Sequence, residues 1–152
     1  MIALIQRVTE ARVSVDGETV GSIGRGLVAL IAVQPSDDES VAERLLERVV
    51  GYRVFDDDEG RMNRALTDVG GELLLVSQFT LAADTRKGMR AGFSTAADPA
   101  TGARLFEYLV NKAQATSIRV ATGRFGAHMQ VSLVNDGPVT FWLESPARHA
   151  VE

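Results

Sequence analysis

Apolar residues recur at helical spacing in only two stretches of this chain. They are Val41, Leu45, Leu46, Val49 and Val50, and then Leu105, Phe106, Leu109, Val110 and Ala113. The other apolar runs are β-branched and aliphatic: "IALIQRVTEARVSV", "TVGSIGRGLVALIAV", "ELLLVSQFTL" and "SIRVATGRFGAHMQVSLVNDGPVTFWLES" read as strands. The order is therefore strands, helix, strand, helix, strands, which predicts one α+β domain. No internal repeat, low-complexity segment or linker divides the 152 residues, a length that suits a single core.

Local signals refine this outline. "DGE" at Asp16–Glu18 predicts a turn, and Gly21, Gly24 and Gly26 break the strands that follow. Ser36 is the expected N-cap of the first helix, with Asp37, Asp38 and Glu39 suiting its N-terminus and Gly51 near its end. "DDDEGRMN" reads as a polar loop and "AADTRKGMRAGFSTAADPA" as a long connection. "NDGP" breaks two strands that composition marks as buried, and residues 146–152 read as a loose tail.

The chemistry is harder to find. There is no cysteine, hence no disulfide, thiolate nucleophile or cysteine zinc site. The start lacks a basic and long apolar leader, and "LVALIAV" is too short to span a bilayer, so a cytoplasmic protein with no membrane partner is expected. A net charge of −4 argues against holding nucleic acid on a broad basic surface, though not against gripping a small part of one. His149 lies in the tail. His128 precedes a strand, where it is either structural or a base with no visible nucleophile. Asp56, Asp57, Asp58 and Glu59 lack the alternation of a calcium loop and read as solvated. Gly21, Gly24 and Gly26 stand in the wrong order for a dinucleotide fingerprint. No metal site is predicted.

Two stretches remain. Ser77, Gln78 and Thr80 end an otherwise aliphatic strand, where buried hydroxyls and an amide need partners. They either satisfy the strand end or form the floor of a polar pocket. Arg86, Lys87 and Arg90 follow closely; they form either a surface loop or a phosphate contact.

Read together, "SQFTLAADTRKGMR" and "QVSLVNDGPVTFWL" resemble the D-aminoacyl-tRNA deacylase family, also called D-tyrosyl-tRNA(Tyr) deacylase. Its Ser-Gln-x-Thr-Leu and Asn-x-Gly-Pro-Val-Thr motifs stand intact at Ser77–Leu81 and Asn135–Thr140, and the likeness covers residues 1–145. The resemblance implies a barrel-like core of mixed and antiparallel strands with two main helices. It also implies hydrolysis of the ester in D-aminoacyl-tRNA and mischarged glycyl-tRNA by a homodimer whose site lies at the subunit interface, without cofactor.

On that likeness, Ser77, Gln78, Phe79 and Thr80 form the pocket. The backbone at Phe79 and Thr80 faces the carbonyl oxygen, Gln78 lies near the terminal ribose, and the substrate's own 2′-hydroxyl helps to activate water. Thr80 as nucleophile is the alternative, and Ser77 a weaker one. Gly137-Pro138 is expected to be a cis peptide that enters the partner's pocket and rejects L-residues. Arg7, Asn135 and Thr140 support it, and Arg86, Lys87 and Arg90 meet phosphates at the acceptor end. A non-catalytic RNA-end binder and a structural dimer module are the competing readings.

Overall fold

A computed structural model describes residues 1–147. Its strands are β1 (Ile2–Val15), β2 (Glu18–Ile23), β3 (Gly26–Ala32), β4 (Phe55–Asp56), β5 (Met62–Arg64), β6 (Glu72–Ser77), β7 (Val120–Thr122) and β8 (Gln130–Glu144). The helices are α1 (Glu39–Gly51) and α2 (Pro99–Gln114). The main sheet runs β2-β1-β3-β6-β7, and β8 pairs with the other edge of β1. The β3–β6 and β6–β7 pairs are parallel, and the pairs made by β1 are antiparallel.

The aliphatic runs of β3 and β6 do not alternate with polar residues because both faces are covered. Leu27, Ala29, Ile31, Leu73 and Leu75 pack with Leu45, Val49, Leu105 and Leu109 beneath the helices. Val28, Leu74 and Val76 face the opposite way and pack with Val8, Val13 and Ile23. This second core lies inside a sheet that curls almost to closure. At its seam β2 meets β7 so closely that a Cβ on Gly21 would stand 2.3 Å from the carbonyl oxygen of Thr122. The glycine read as a strand break is thus a strand residue at a close backbone approach. The result is the expected α+β architecture, a mixed barrel-like sheet with two helices.

The cap of α1 differs from expectation. Asp38, not Ser36, is the N-cap, accepting from the Val41 amide at 3.0 Å. Asp37 instead turns inward. Its carboxylate accepts from the Met1 ammonium at 3.0 Å and from the Gln34 amide at 2.7 Å. The ammonium also donates to the Ser145 carbonyl, so this buried ion pair ties β1, the approach to α1 and the end of β8 together. Breaking such a pair on one side costs about 3–5 kcal/mol.

Two further boundaries differ. The polar stretch around Asp57 contains the small hairpin β4–β5, with Asp57 accepting from the amides of Glu59 and Arg61. "NDGP" does not divide two strands, because β8 runs through it as one strand against β1. Its register jumps from Gln6↔Thr140 to Val8↔Asn135, so residues 136–139 bulge outward opposite Arg7. The flanks are also less buried than their composition suggests: Val131, Val134 and Trp142 are exposed.

Candidate active site

The polar strand end is built by a change of backbone path. β6 ends at Ser77, and Phe79–Ala82 form a single 3₁₀ turn rather than more strand. The Gln78 amide still donates to the Ile31 carbonyl at 2.7 Å, which fixes where the turn leaves the sheet. The Leu81 amide donates back to the Gln78 carbonyl at 3.2 Å, and that of Ala83 to Thr80. Among the described residues the amides of Phe79 and Thr80 find no acceptor, the usual state of the first donors of a helical turn. Gln78 Nε2 donates to Thr80 Oγ1 at 2.5 Å. No carboxylate, imidazole or amine hydrogen-bonds the side chains of Ser77, Gln78 or Thr80 among the described residues.

Ser77 and Phe79 border a mostly apolar cavity of about 240 Å³, lined also by Ile31, Pro99, Phe106 and Phe125. The start of α2 forms one wall. Asp98 caps that helix by accepting from the Thr101 amide at 3.1 Å, and these bonds to Thr101 hold its carboxyl below the usual carboxylate range. Asp98 and Phe125 lie at this rim and Phe93 stacks on Phe79 beside it, although sequence reasoning named none of them; they sit outside both motifs, and only the chain path brings them here.

The bulge in β8 is the second element. Asn135 spans it: Oδ1 accepts from the Val139 amide at 2.7 Å, and Nδ2 donates to Thr140 Oγ1 at 3.0 Å. The Gly137-Pro138 peptide bond is cis. Gly137 has φ +150°, and a Cβ there would meet Val139 Cγ2 at 2.6 Å, so the position requires glycine. Arg7 braces the bulge from below. Its Nε donates to the Asp136 carbonyl at 2.8 Å and its Nη1 to the Val54 carbonyl at 2.7 Å. Its side chain is only 12% exposed, so Arg7 is an internal brace and not a surface arginine. Residues 136–138 themselves are exposed.

Arg86, Lys87 and Arg90 border an open hollow of about 300 Å³ with Asp84, Gly92 and Ser94. Asp84 takes two side-chain donors of Arg86 at 2.9 Å, and this holds the Asp84 carboxyl down at about 2. His128 is exposed and borders neither hollow, and His149 lies outside the described residues. Among the described residues no group of three or more His, Cys, Asp or Glu could hold a metal ion, and no helix is long and apolar enough to cross a membrane.

A family model described as D-Tyr-tRNA(Tyr) deacylase matches residues 4–144. The chain belongs to that family. It is 67% identical over 146 residues to a D-aminoacyl-tRNA deacylase of Thioalkalivibrio sulfidiphilus, covering 96% of this chain and 98% of that one. Identity to the D-aminoacyl-tRNA deacylase of Alkalilimnicola ehrlichii is 65% over 145 residues, covering 95% and 97%. A solved structure described as a c-Myc DNA unwinding element binding protein superposes with TM-score 0.91 at 36% identity, covering 97% of this chain and 100% of that one. The fold alone is shared with a probable eukaryotic D-amino acid tRNA deacylase, at TM-score 0.80 and 17% identity over 94% and 98% of the two chains. Membership of the deacylase family makes the chain an enzyme, a hydrolase. Both motif stretches, the 3₁₀ turn at Phe79–Ala82 and the bulge at 136–139, fall within the matched residues.

Proposed function

We propose that the chain hydrolyses the ester that joins a D-amino acid, or glycine, to the 3′-terminal adenosine of tRNA, and spares L-aminoacyl esters. The observation that carries this reading is the pair of unpartnered amides at Phe79 and Thr80 at the mouth of an apolar cavity. An ester hydrolase needs donors where the carbonyl oxygen gains charge, and backbone amides supply them without reorganisation. The cavity accepts the adenine between Phe79, Phe106 and Phe125, with Gln78 toward the ribose. Water attacks the carbonyl carbon, the bond from that carbon to the ribose oxygen breaks, and the proton passes to the departing oxygen. The adjacent 2′-hydroxyl of the substrate orients the water. Thr80 Oγ1 accepts from Gln78 and meets no base among the described residues, which favours this over a threonine nucleophile.

Chirality is read by exclusion. Two copies of the chain pair so that Gly137-Pro138 of one stands over Ser77–Thr80 of the other. A backbone wall placed where an L side chain must project rejects all L-residues alike, while a D side chain points away. Glycine passes because it has no side chain to reject. Asn135, Thr140 and Arg7 hold the wall, and Arg86, Lys87 and Arg90 meet phosphates near the acceptor end. The reaction takes place in the cytoplasm, with no cofactor.

Hydrolysis of D-tyrosyl-, glycyl- and L-tyrosyl-tRNA measured side by side tests this. The first two are expected to be cleaved and the third spared, with EDTA present. Equal rates on the two tyrosyl esters refute chiral exclusion. No activity on any of the three favours a protein that only binds the RNA end.

A further inference from the structure

We propose that Phe93, stacked on Phe79, is the platform for the nucleobase that precedes the terminal adenosine, with Lys87 and Arg90 receiving the phosphate between them. This rests on the deacylase reading and adds a contact that neither motif supplies. The two rings lie 5.4 Å apart at a 51° tilt. In the single chain Phe79 is 58% exposed and Phe93 50%, a large apolar outlay, and the partner's Gly137-Pro138 proposed over Ser77–Thr80 leaves Phe93 to be accounted for.

Their placement gives them a use. Phe79 borders the apolar cavity, whereas Gly92 and Ser94, on either side of Phe93, border the basic hollow. The paired rings therefore bridge the site proposed for the adenosine and a group of cations. Arg86 is already engaged by Asp84, and Lys87 and Arg90 have no ion-pair partner among the described residues. An aromatic step leading to unpaired cations is how a single-stranded nucleic acid end is held without reading its sequence. Charge complementarity favours RNA over an apolar partner.

Phe93 is also rigidly mounted. Asp84 and Gly92 exchange both backbone hydrogen bonds, at 2.8 and 2.9 Å, immediately before it. On the other side the Ala96 amide donates to the Phe93 carbonyl at 3.1 Å, and Thr95 Oγ1 donates to the Ala82 carbonyl at 2.5 Å. The ring is thus presented by a fixed backbone at little ordering cost.

The test compares D-tyrosyl-tRNA with D-tyrosyl-adenosine, which lacks the preceding nucleotide, for the parent, Phe93→Ala and Phe93→Tyr. Alanine is expected to raise KM for the tRNA by about fivefold to a hundredfold, the range for one stacked base. The loss in kcat/KM is expected to be at least about fivefold larger on the tRNA than on the nucleoside ester, with tyrosine restoring it. Uncharged tRNA, followed by fluorescence anisotropy, should bind the alanine variant more weakly by the same factor. Equal losses on the two substrates, an unchanged KM, or a change of oligomeric state on alanine substitution would overturn the proposal. A parent that cleaves neither ester sinks the deacylase reading instead, and the anisotropy measurement then still decides the role of Phe93.

Discussion

Replacing Arg7 with methionine separates bracing of the Gly137-Pro138 bulge from ordinary stability. The guanidinium makes two diverging bonds to main-chain carbonyls, 2.8 Å to Asp136 and 2.7 Å to Val54, with Asp56 Oδ1 at 3.5 Å. Hydrogen bonds to charged groups contribute about 1.5–3 kcal/mol each. The bond to Asp136 lies at the exposed bulge and takes the low end. The Asp56 contact is long and half exposed, and adds little. The sum is roughly 3–4.5 kcal/mol, which for a chain of this size lowers Tm by about 6–18 °C. Methionine keeps most of the apolar stem, so packing loss adds little.

The functional consequence is sharper than the thermal one. Arg7 is the residue of β1 that faces the bulge across the register jump, so its loss frees residues 136–138 to move. A wall that rejects by clash fails once it retreats, and about 1 Å of misplacement is worth roughly a hundredfold. Hydrolysis of L-tyrosyl-tRNA is therefore expected to rise by one to two orders of magnitude relative to D-tyrosyl-tRNA. Arg7→Lys offers one point charge and can serve one carbonyl only, so it should fall between parent and methionine in both measurements. Calorimetry and single-turnover hydrolysis of the two esters read the outcomes. Melting lowered as calculated but with L-rejection intact would refute the bracing role and leave Arg7 purely structural.

Thr80→Ala should keep kcat/KM within about tenfold of the parent, the cost of one hydrogen bond. A loss near a millionfold, or a trapped aminoacyl ester on Thr80, would make it the nucleophile. Its bond to Arg86 depresses the Asp84 carboxyl to about 2, so the Asp84–Arg86 clasp contributes fully above the unfolded carboxylate range near 4 and weakens as pH falls toward 2. Exchange protection of the Arg86 Nε–H by NMR should hold down to about pH 4 and be lost with a midpoint near 2; a midpoint at the ordinary carboxylate value near 4 or above contradicts the assignment. Val131→Glu with Trp142→Arg, exposed residues that the register places on one face of β8, should shift sedimentation toward monomer and abolish hydrolysis together; a fully active monomer would refute a shared site.

What the sequence disclosed follows from how local each signal is. β3 and β6 were legible because burial on both faces leaves an unbroken apolar run, and α1 and α2 because one buried face leaves a stripe. The cap was misread by two residues: Ser36, Asp37 and Asp38 in a row can each cap, and only the bond from the Val41 amide to Asp38 decides. The strand end was overextended because "QFTL" has strand composition, while its path is set by the distant Ile31 carbonyl. The β8 bulge was invisible for the same reason, its partner strand lying over a hundred residues earlier. Both motifs were found as patterns. Their supports at Val54, Asp98 and Phe93 carry no pattern and emerge only from chain path.

The misjudged burial of β8 bears on the proposed dimer. Composition marks its apolar residues for an interior, yet Val131, Val134 and Trp142 face solvent in the single chain. Among the described residues β8 pairs only with β1, so its other edge presents unused backbone donors and acceptors along a strand from Gln130 to Glu144. Long edges of this kind invite another strand or are blunted by charge. Here the outward residues include valine and tryptophan, which do not blunt it. A second copy set against the face that Val131 and Trp142 share removes apolar surface from water, and two-fold symmetry applies the same contact twice. The bulge at 136–139 interrupts the same strand and is exposed, so any copy seated on β8 meets Gly137-Pro138 as well. In the proposed dimer, pairing and chiral exclusion are then one requirement on one strand: the surface that would take a partner carries the wall proposed for that partner's pocket.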